Sequence, residues 1–279
     1  MAWRMAGLGL VTVSLRRSII FVLLTKIQGS MDFALLIMML LSFVVAPFVA
    51  ALATFYTGFG LNTILVPLFM FNWDAPLAVF MASIVHLCNN ILKVSLTARS
   101  INWDLFKNFG VPAILFAFLG AFLLNQFSRN TSTYLEPIFG AILMLFALLE
   151  FFNWKLPIKG AWAMRIGGSL SGFFGGFSGH QGALRALFLS KLKIEPLVFV
   201  ATTAIISLLV DLTRVGVYAS SAQHLSYYPS MLIFLVITAA LAGTLVGRKY
   251  IQKIKHELFS KLVGLALFAM GLALLLGLI

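Results

Sequence analysis

GGFSGHQGALR, residues Gly175 to Arg185, interrupts a chain that is otherwise apolar enough to sit in lipid. Four glycines, Ser178, His180, Gln181 and Arg185 crowd into this stretch, between an apolar run at 162–178 and a short one at 182–190. Non-helical backbone at membrane depth survives only where protein or a water-filled cavity surrounds it. The stretch therefore reads as the tip of a broken helix hairpin. TGFGLN, from Thr57 to Asn62, separates 33–56 from the short run 60–72 in the same way. Neither short run approaches the roughly 20 residues that a spanning helix needs.

Composition sets the class around these tips. The chain of 279 residues is 61% hydrophobic and only 10% charged, too little polar surface for a soluble protein. It reads as an all-α integral membrane protein whose first partner is the lipid bilayer. Its net charge of +12 comes mostly from Lys and Arg in the short gaps between apolar runs, which is a topology signal and not a nucleic-acid footprint. Cys88 stands alone inside an apolar run, so no intrachain disulfide forms.

The remaining apolar segments are 75–97, 108–127 and 134–153, then 195–219, 228–247 and 258–279. With the broken pairs they form two sets of five, a first membrane repeat at 31–154 and a second at 161–279. Setting Asn62 against Gly182 brings Pro76 onto Pro196 and Ser83 onto Thr203, and one inserted residue brings Asn90-x-x-Lys93 onto Asp211-x-x-Arg214. An odd number of segments inverts the second repeat relative to the first. Inverted repeats with broken hairpins meeting near the midplane are a transporter signature.

Basic residues cluster in the gaps after 97, 153, 190 and 247, whereas Arg129 and Arg214 alone mark the opposite face. The positive-inside rule makes the first face cytoplasmic. Residues 1–30, with Arg4, Arg16, Arg17 and Lys26, do not fit this count. They read as a basic, poorly ordered or interfacial extension, or as an untranslated leader before Met31.

Two polar stripes cross otherwise greasy helices. Ser83, His86, Asn90 and Lys93 share one face of 75–97, with Asn89 beside them; Thr203, Ser207, Asp211 and Arg214 repeat the device in 195–219. Ionisable groups facing lipid cost about 2.5–3.5 kcal/mol each at a helix centre, so both stripes should face protein or a cavity. The plainer alternative is that Lys93 and Arg214 snorkel to the two interfaces.

A helix starting near His180 points the free backbone N–H groups of Gln181, Gly182 and Ala183 and the positive end of its dipole into the cavity, with Arg185 close behind. Asn62 and Thr63, next to Gly60, open the first short run likewise. Together these groups form a site for a small anion. For Gly167, Gly168 and Gly172, close helix packing is the simpler reading. Arg185 needs a partner, and Asp211 is the acidic residue deep enough to supply one, unless Arg214, three residues on, claims it.

The pattern Gly58-Phe-Gly60-Leu-Asn62-Thr-Ile-Leu-Val-Pro67-Leu, with its second copy Ser178-Gly179-His180-Gln181-Gly182-Ala-Leu-Arg185-Ala-Leu187, resembles the duplicated glycine-rich motif of the sulfite exporter TauE/SafE family. The resemblance covers nearly all of 31–279. It implies a multi-pass transporter of sulfite, sulfonates or related small anions in the plasma membrane, the inner membrane of a bacterium, and the lack of a G-x-x-x-x-G-K-[ST] motif makes a gradient and not ATP the expected driving force. Two departures, Gly60-Leu61-Asn62 and His180-Gln181-Gly182 in place of glycine runs, fall where the substrate should sit. Leu187 also stands where the first copy has Pro67.

The expected substrate-binding set is Gly60, Asn62, Thr63, His180, Gln181, Gly182 and Arg185, with Asn90 behind it and Lys93 and Arg214 guiding the anion from opposite faces. Asp211 or His180 is expected to couple a proton. No cofactor, metal or nucleic acid is expected, and a homo-oligomer is compatible with the pattern. An anion channel is the main alternative. A weaker one is an intramembrane serine protease, since Gly176-Phe-Ser178-Gly179 matches G-x-S-G and His86, His180 or His224 could serve Ser178 as base. An enzyme is not the expectation.

Overall fold

The computed structural model describes residues 33–57, 60–130, 132–152, 160–189, 192, 194–219, 227–250 and 256–278. Expectations for residues 1–30 and for His224 lie outside these described residues. The chain divides into two units, Met1–Ser42 and Phe43–Ile279. In the first, the helix Phe33–Leu40 precedes a π-helical turn, Leu41–Val45, that runs into the second.

The second unit contains, in chain order, α1 (Ala46–Thr57), α2 (Leu61–Met70), α3 (Ala75–Thr97), α4 (Val111–Asn130) and α5 (Ser132–Phe152). It continues with α6 (Ala161–Ser178), α7 (Gly182–Leu189), α8 (Pro196–Tyr218), α9 (Tyr227–Tyr250) and α10 (His256–Leu275). Regular structure among the described residues is helical throughout. Most boundaries fall within a few residues of those that hydropathy indicates.

The largest difference precedes α4, where helix begins at Trp103 instead of 108, through Trp103–Leu105 and a π-helical turn at Phe106–Gly110. Asn102 makes this start possible. Its side chain accepts from Leu105 N at 2.9 Å, and its own N–H donates to Thr202 Oγ1 at 2.8 Å. Asp104, Lys107 and Asn108 dilute the hydropathy there, which hides the turn from a composition window.

Among the described residues, five helical stretches are long and apolar enough to cross a membrane: Ile37–Phe55, Ala75–Ser100, Trp103–Ser128, Pro196–Tyr218 and Ser230–Lys249. Leu115, Phe118, Phe234 and Leu265 point outward from them and from α10, each more than half exposed. His86, Asn90, Lys93, Arg185, Asp211 and Arg214 are buried instead, the inversion expected when lipid is the solvent.

Helices α3 and α8 are each 23 residues long and start alike, with Asp74 or Glu195 as cap and Pro76 or Pro196 in the first turn. They pack on each other at the centre. Around them α4 lies along α6, α1 along α9 and α5 along α10. Glycine sets these close approaches: a Cβ on Gly168, Gly172 or Gly176 of α6 would come within 2.2, 1.9 and 2.1 Å of the Phe109, Ala113 and Ala117 carbonyl oxygens. Gly243 and Gly247 of α9 stand against the Phe48 and Leu52 carbonyls in the same manner. Gly167 meets the Phe188 ring, so Gly167, Gly168 and Gly172 all serve packing.

Candidate functional site

Both hairpins break at a left-handed glycine, Gly60 at φ 111° and Gly179 at φ 84°. L side chains avoid this region, so glycine permits the reversal at each tip. Gly179 N closes α6 by donating to Phe174 O at 3.0 Å and Gly175 O at 3.2 Å. After His180 and Gln181 the chain re-enters helix, with Arg185 N donating to Gln181 O at 3.1 Å. The first-turn N–H groups of α7 consequently lack an intrahelical acceptor. Ser171 Oγ, donating to Gln181 O at 2.9 Å, ties the tip back to α6.

The tips meet. A Cβ on Gly179 would lie 3.1 Å from Val66 Cγ2 and 3.6 Å from the Asn62 amide. With its nitrogen toward Arg214, Asn62 would reach the Gly179 carbonyl at 3.4 Å but would set donor against donor. Turned over, its oxygen accepts from Arg214 Nη1 at 3.1 Å and from Nη2, while its nitrogen donates to Ala82 O at 3.1 Å. A guanidinium can only donate, so the turned orientation is the physical one.

A small cavity opens where the tips meet, lined by Gly60, Asn62 and Thr63 from the first, Gly179, Gln181, Gly182 and Arg185 from the second, and His86 and Ser207 from α3 and α8. Arg185 is 1% exposed. Its Nη1 donates to Ser207 Oγ at 2.8 Å and Thr203 O at 3.2 Å, and its Nη2 to Gln181 Oε1 at 2.7 Å. All three partners are neutral, and among the described residues no carboxylate pairs with it. Arg185 Nε and Gln181 Nε2 are buried donors with no acceptor. Such groups are costly when left unmade and favour any anion that supplies the missing oxygen.

Asp211 belongs to a separate network. Arg214 Nη2 donates to its Oδ1 at 2.7 Å, Asn90 Nδ2 donates to its Oδ2 at 2.9 Å, and His86 Nδ1 lies 2.6 Å from the same Oδ2. Of the two partners open to Asp211 in the sequence, the structure selects Arg214 and leaves Arg185 without it.

Lys93 and Arg214 are 3% and 0% exposed, so neither snorkels. Lys93 Nζ donates to Thr54 O at 3.2 Å and stands over the Phe55 ring, while Arg214 Nη1 donates to Gly175 O at 3.2 Å. Each cation thus binds a carbonyl near the C-terminal end of the first arm of a hairpin, where the helix dipole is negative. They lie behind the cavity lining, as do Asn90 and Asp211. His180 also lies off the lining, its ring stacked on Phe146 and its Nδ1 2.8 Å from Ser178 O. Ser178 Oγ donates to Phe174 O at 3.1 Å, a helix carbonyl and not a base.

The lining residues that the expected binding set omits are His86, Ser207 and Gly179. The polar stripes carry the first two, but the stripe alone does not fix how far along the helix the tips sit. Among the described residues, no group of three or more His, Cys, Asp or Glu side chains could hold a metal ion.

The family model described as sulfite exporter TauE/SafE matches residues 39–274. No curated protein and no solved structure matches the chain.

Proposed function

The chain belongs to the sulfite exporter TauE/SafE family, a family of membrane transporters, and we propose that it carries a small oxyanion, sulfite or a sulfonate, across the plasma membrane by gradient-driven alternating access. The observation that carries this reading is Arg185, a buried guanidinium on the cavity wall whose partners are all neutral. The anion sits against its free Nε and takes hydrogen bonds from Gln181 Nε2, from the first-turn amides of α7 and from Asn62 and Thr63 across the cavity. Asn90, Lys93, Asp211 and Arg214 act from behind the lining by fixing the two tips.

Alternating access needs two halves that rock about the site, and several contacts support an inverted repeat. Lys93 binds Thr54 O and Arg214 binds Gly175 O, and the same number of residues separates Thr54 from Gly175 as Lys93 from Arg214. The pairing of α1 with α9 matches that of α6 with α4 once the halves are exchanged.

Uptake into proteoliposomes tests the reading, with sulfite, sulfate, sulfoacetate and acetate compared with and without a pH gradient. Saturable sulfite or sulfonate flux that Arg185→Gln abolishes, while inserting normally, is the expected outcome. Normal flux in that variant would remove Arg185 from the site. Flux without countertransport would make the protein a channel.

A further inference from the structure

His86 stands on the cavity wall with Arg185 and Ser207, and its contacts settle which ring nitrogen is engaged. Asp211 Oδ1 accepts from Arg214 and its Oδ2 from Asn90. A carboxylate held by these fixed donors is an acceptor, so the hydrogen in the 2.6 Å contact belongs to His86 Nδ1. Asn90 Nδ2, 3.0 Å from that nitrogen, then gives its hydrogen to Asp211 and not to the ring. Nε2 is left as the nitrogen that gains or loses a proton.

We propose that His86 Nε2 takes up one proton with each monoanion bound at Arg185, making the carrier an electroneutral proton–anion symporter in which Asp211 is a positioning residue. The proposal rests on the anion-carrier reading above and names its coupling site.

Charge is the reason. The charged groups acting on His86 are Asp211 and Arg214 on α8 and Lys93 on α3, and Arg185 of α7 shares the cavity lining with it. From α2 the cavity receives the uncharged Asn62 and Thr63. Asp211 and Arg214 neutralise each other, whereas Arg185 and Lys93 are bonded to neutral acceptors. Without a bound anion, an imidazolium would add a further cation to a buried pocket already holding the Arg185 charge. An anion on Arg185 removes that cost, so anion and proton raise each other's affinity. The N–H bond at Nε2 forms as the anion binds from one side and breaks on the other, and both leave together. Neither His180 nor Asp211 can do this as directly, because His180 lies off the lining and Asp211 is saturated by its donors.

The experiment follows sulfite flux and internal pH together in proteoliposomes, with the membrane potential clamped at several values. Wild type should move one proton per hydrogensulfite monoanion, independently of potential, and accumulate hydrogensulfite about tenfold per unit of pH gradient. His86→Asn keeps an N–H donor for Asp211, so the carboxylate keeps a partner from α3 at that position. The variant's flux should lose the pH-gradient dependence and follow membrane potential, because the anion then crosses alone. His86→Gln provides a second variant. Sulfite flux in wild type without accompanying protons, or coupling that survives in both variants, overturns the proposal. Absence of any anion flux in wild type would instead overturn the carrier reading on which it rests.

Discussion

Asn90 Nδ2 donates to Asp211 Oδ2 at 2.9 Å, so positions that match each other in the two halves of the sequence touch in space. Helices α3 and α8 are joined at this point by a carboxylate that also neutralises Arg214. Removing the charge from Asp211 strands the guanidinium, and breaking a buried pair on one side costs about 3–5 kcal/mol. Asp211→Asn should lower the thermal midpoint in detergent sharply, and Asp211→Asn combined with Arg214→Gln should recover part of the loss. A double variant no more stable than the single one would refute this account of the pair.

Arg185 does more than carry charge. Its fork engages Ser207, Thr203 and Gln181 at once, a geometry that an ammonium cannot reproduce. Arg185→Lys should therefore keep measurable transport with the apparent KM for sulfite raised about tenfold or more, equivalent to roughly 1.4 kcal/mol or more. Initial uptake rates over a concentration series read this directly, and an unchanged KM counts against the bonding scheme.

Seams of glycine and carbonyl set helix spacing. In Gly172→Ala the new Cβ would meet the Ala113 carbonyl oxygen at 1.9 Å, so α4 and α6 must separate, at a cost of about 1–3 kcal/mol. Gly216 faces open space, and Gly216→Ala should be neutral or slightly stabilising through helix propensity. Thermal unfolding of the two variants side by side checks the contrast.

At the second tip, Gly179→Ala forces an L residue into φ 84° and brings Cβ to 3.0 Å from Arg214 Nη1. The left-handed conformation costs about 1–2 kcal/mol. Because the strain falls on the cavity wall, sulfite transport should suffer more than the thermal midpoint. Equal losses in both would mean that the tip serves folding alone.

Much of this architecture is legible in the sequence, because lipid demands long apolar runs and the exceptions stand out. Gly60 and Gly179 mark breaks in those runs, and Arg185 between apolar neighbours demands a cavity. The cavity's depth is less legible. Ser83, His86, Asn90 and Lys93 share a face of α3, yet only His86 reaches the lining, since a helix rises about 6 Å between positions four apart and tip insertion selects one level. Asp211 could pair with Arg185 or Arg214 by sequence, and only the packed tips decide. The π-helical turns at Leu41–Val45 and Phe106–Gly110 leave no hydropathy signal.

The glycine seam between α1 and α9 bears on how the chain is made. Phe48 and Leu52 meet their partners Gly243 and Gly247 only after all the intervening segments, α2 to α8, have been synthesised. The first half must therefore wait in the bilayer with its close-packing face open to lipid, and assembly of α1 falls late, after the ribosome has delivered α9.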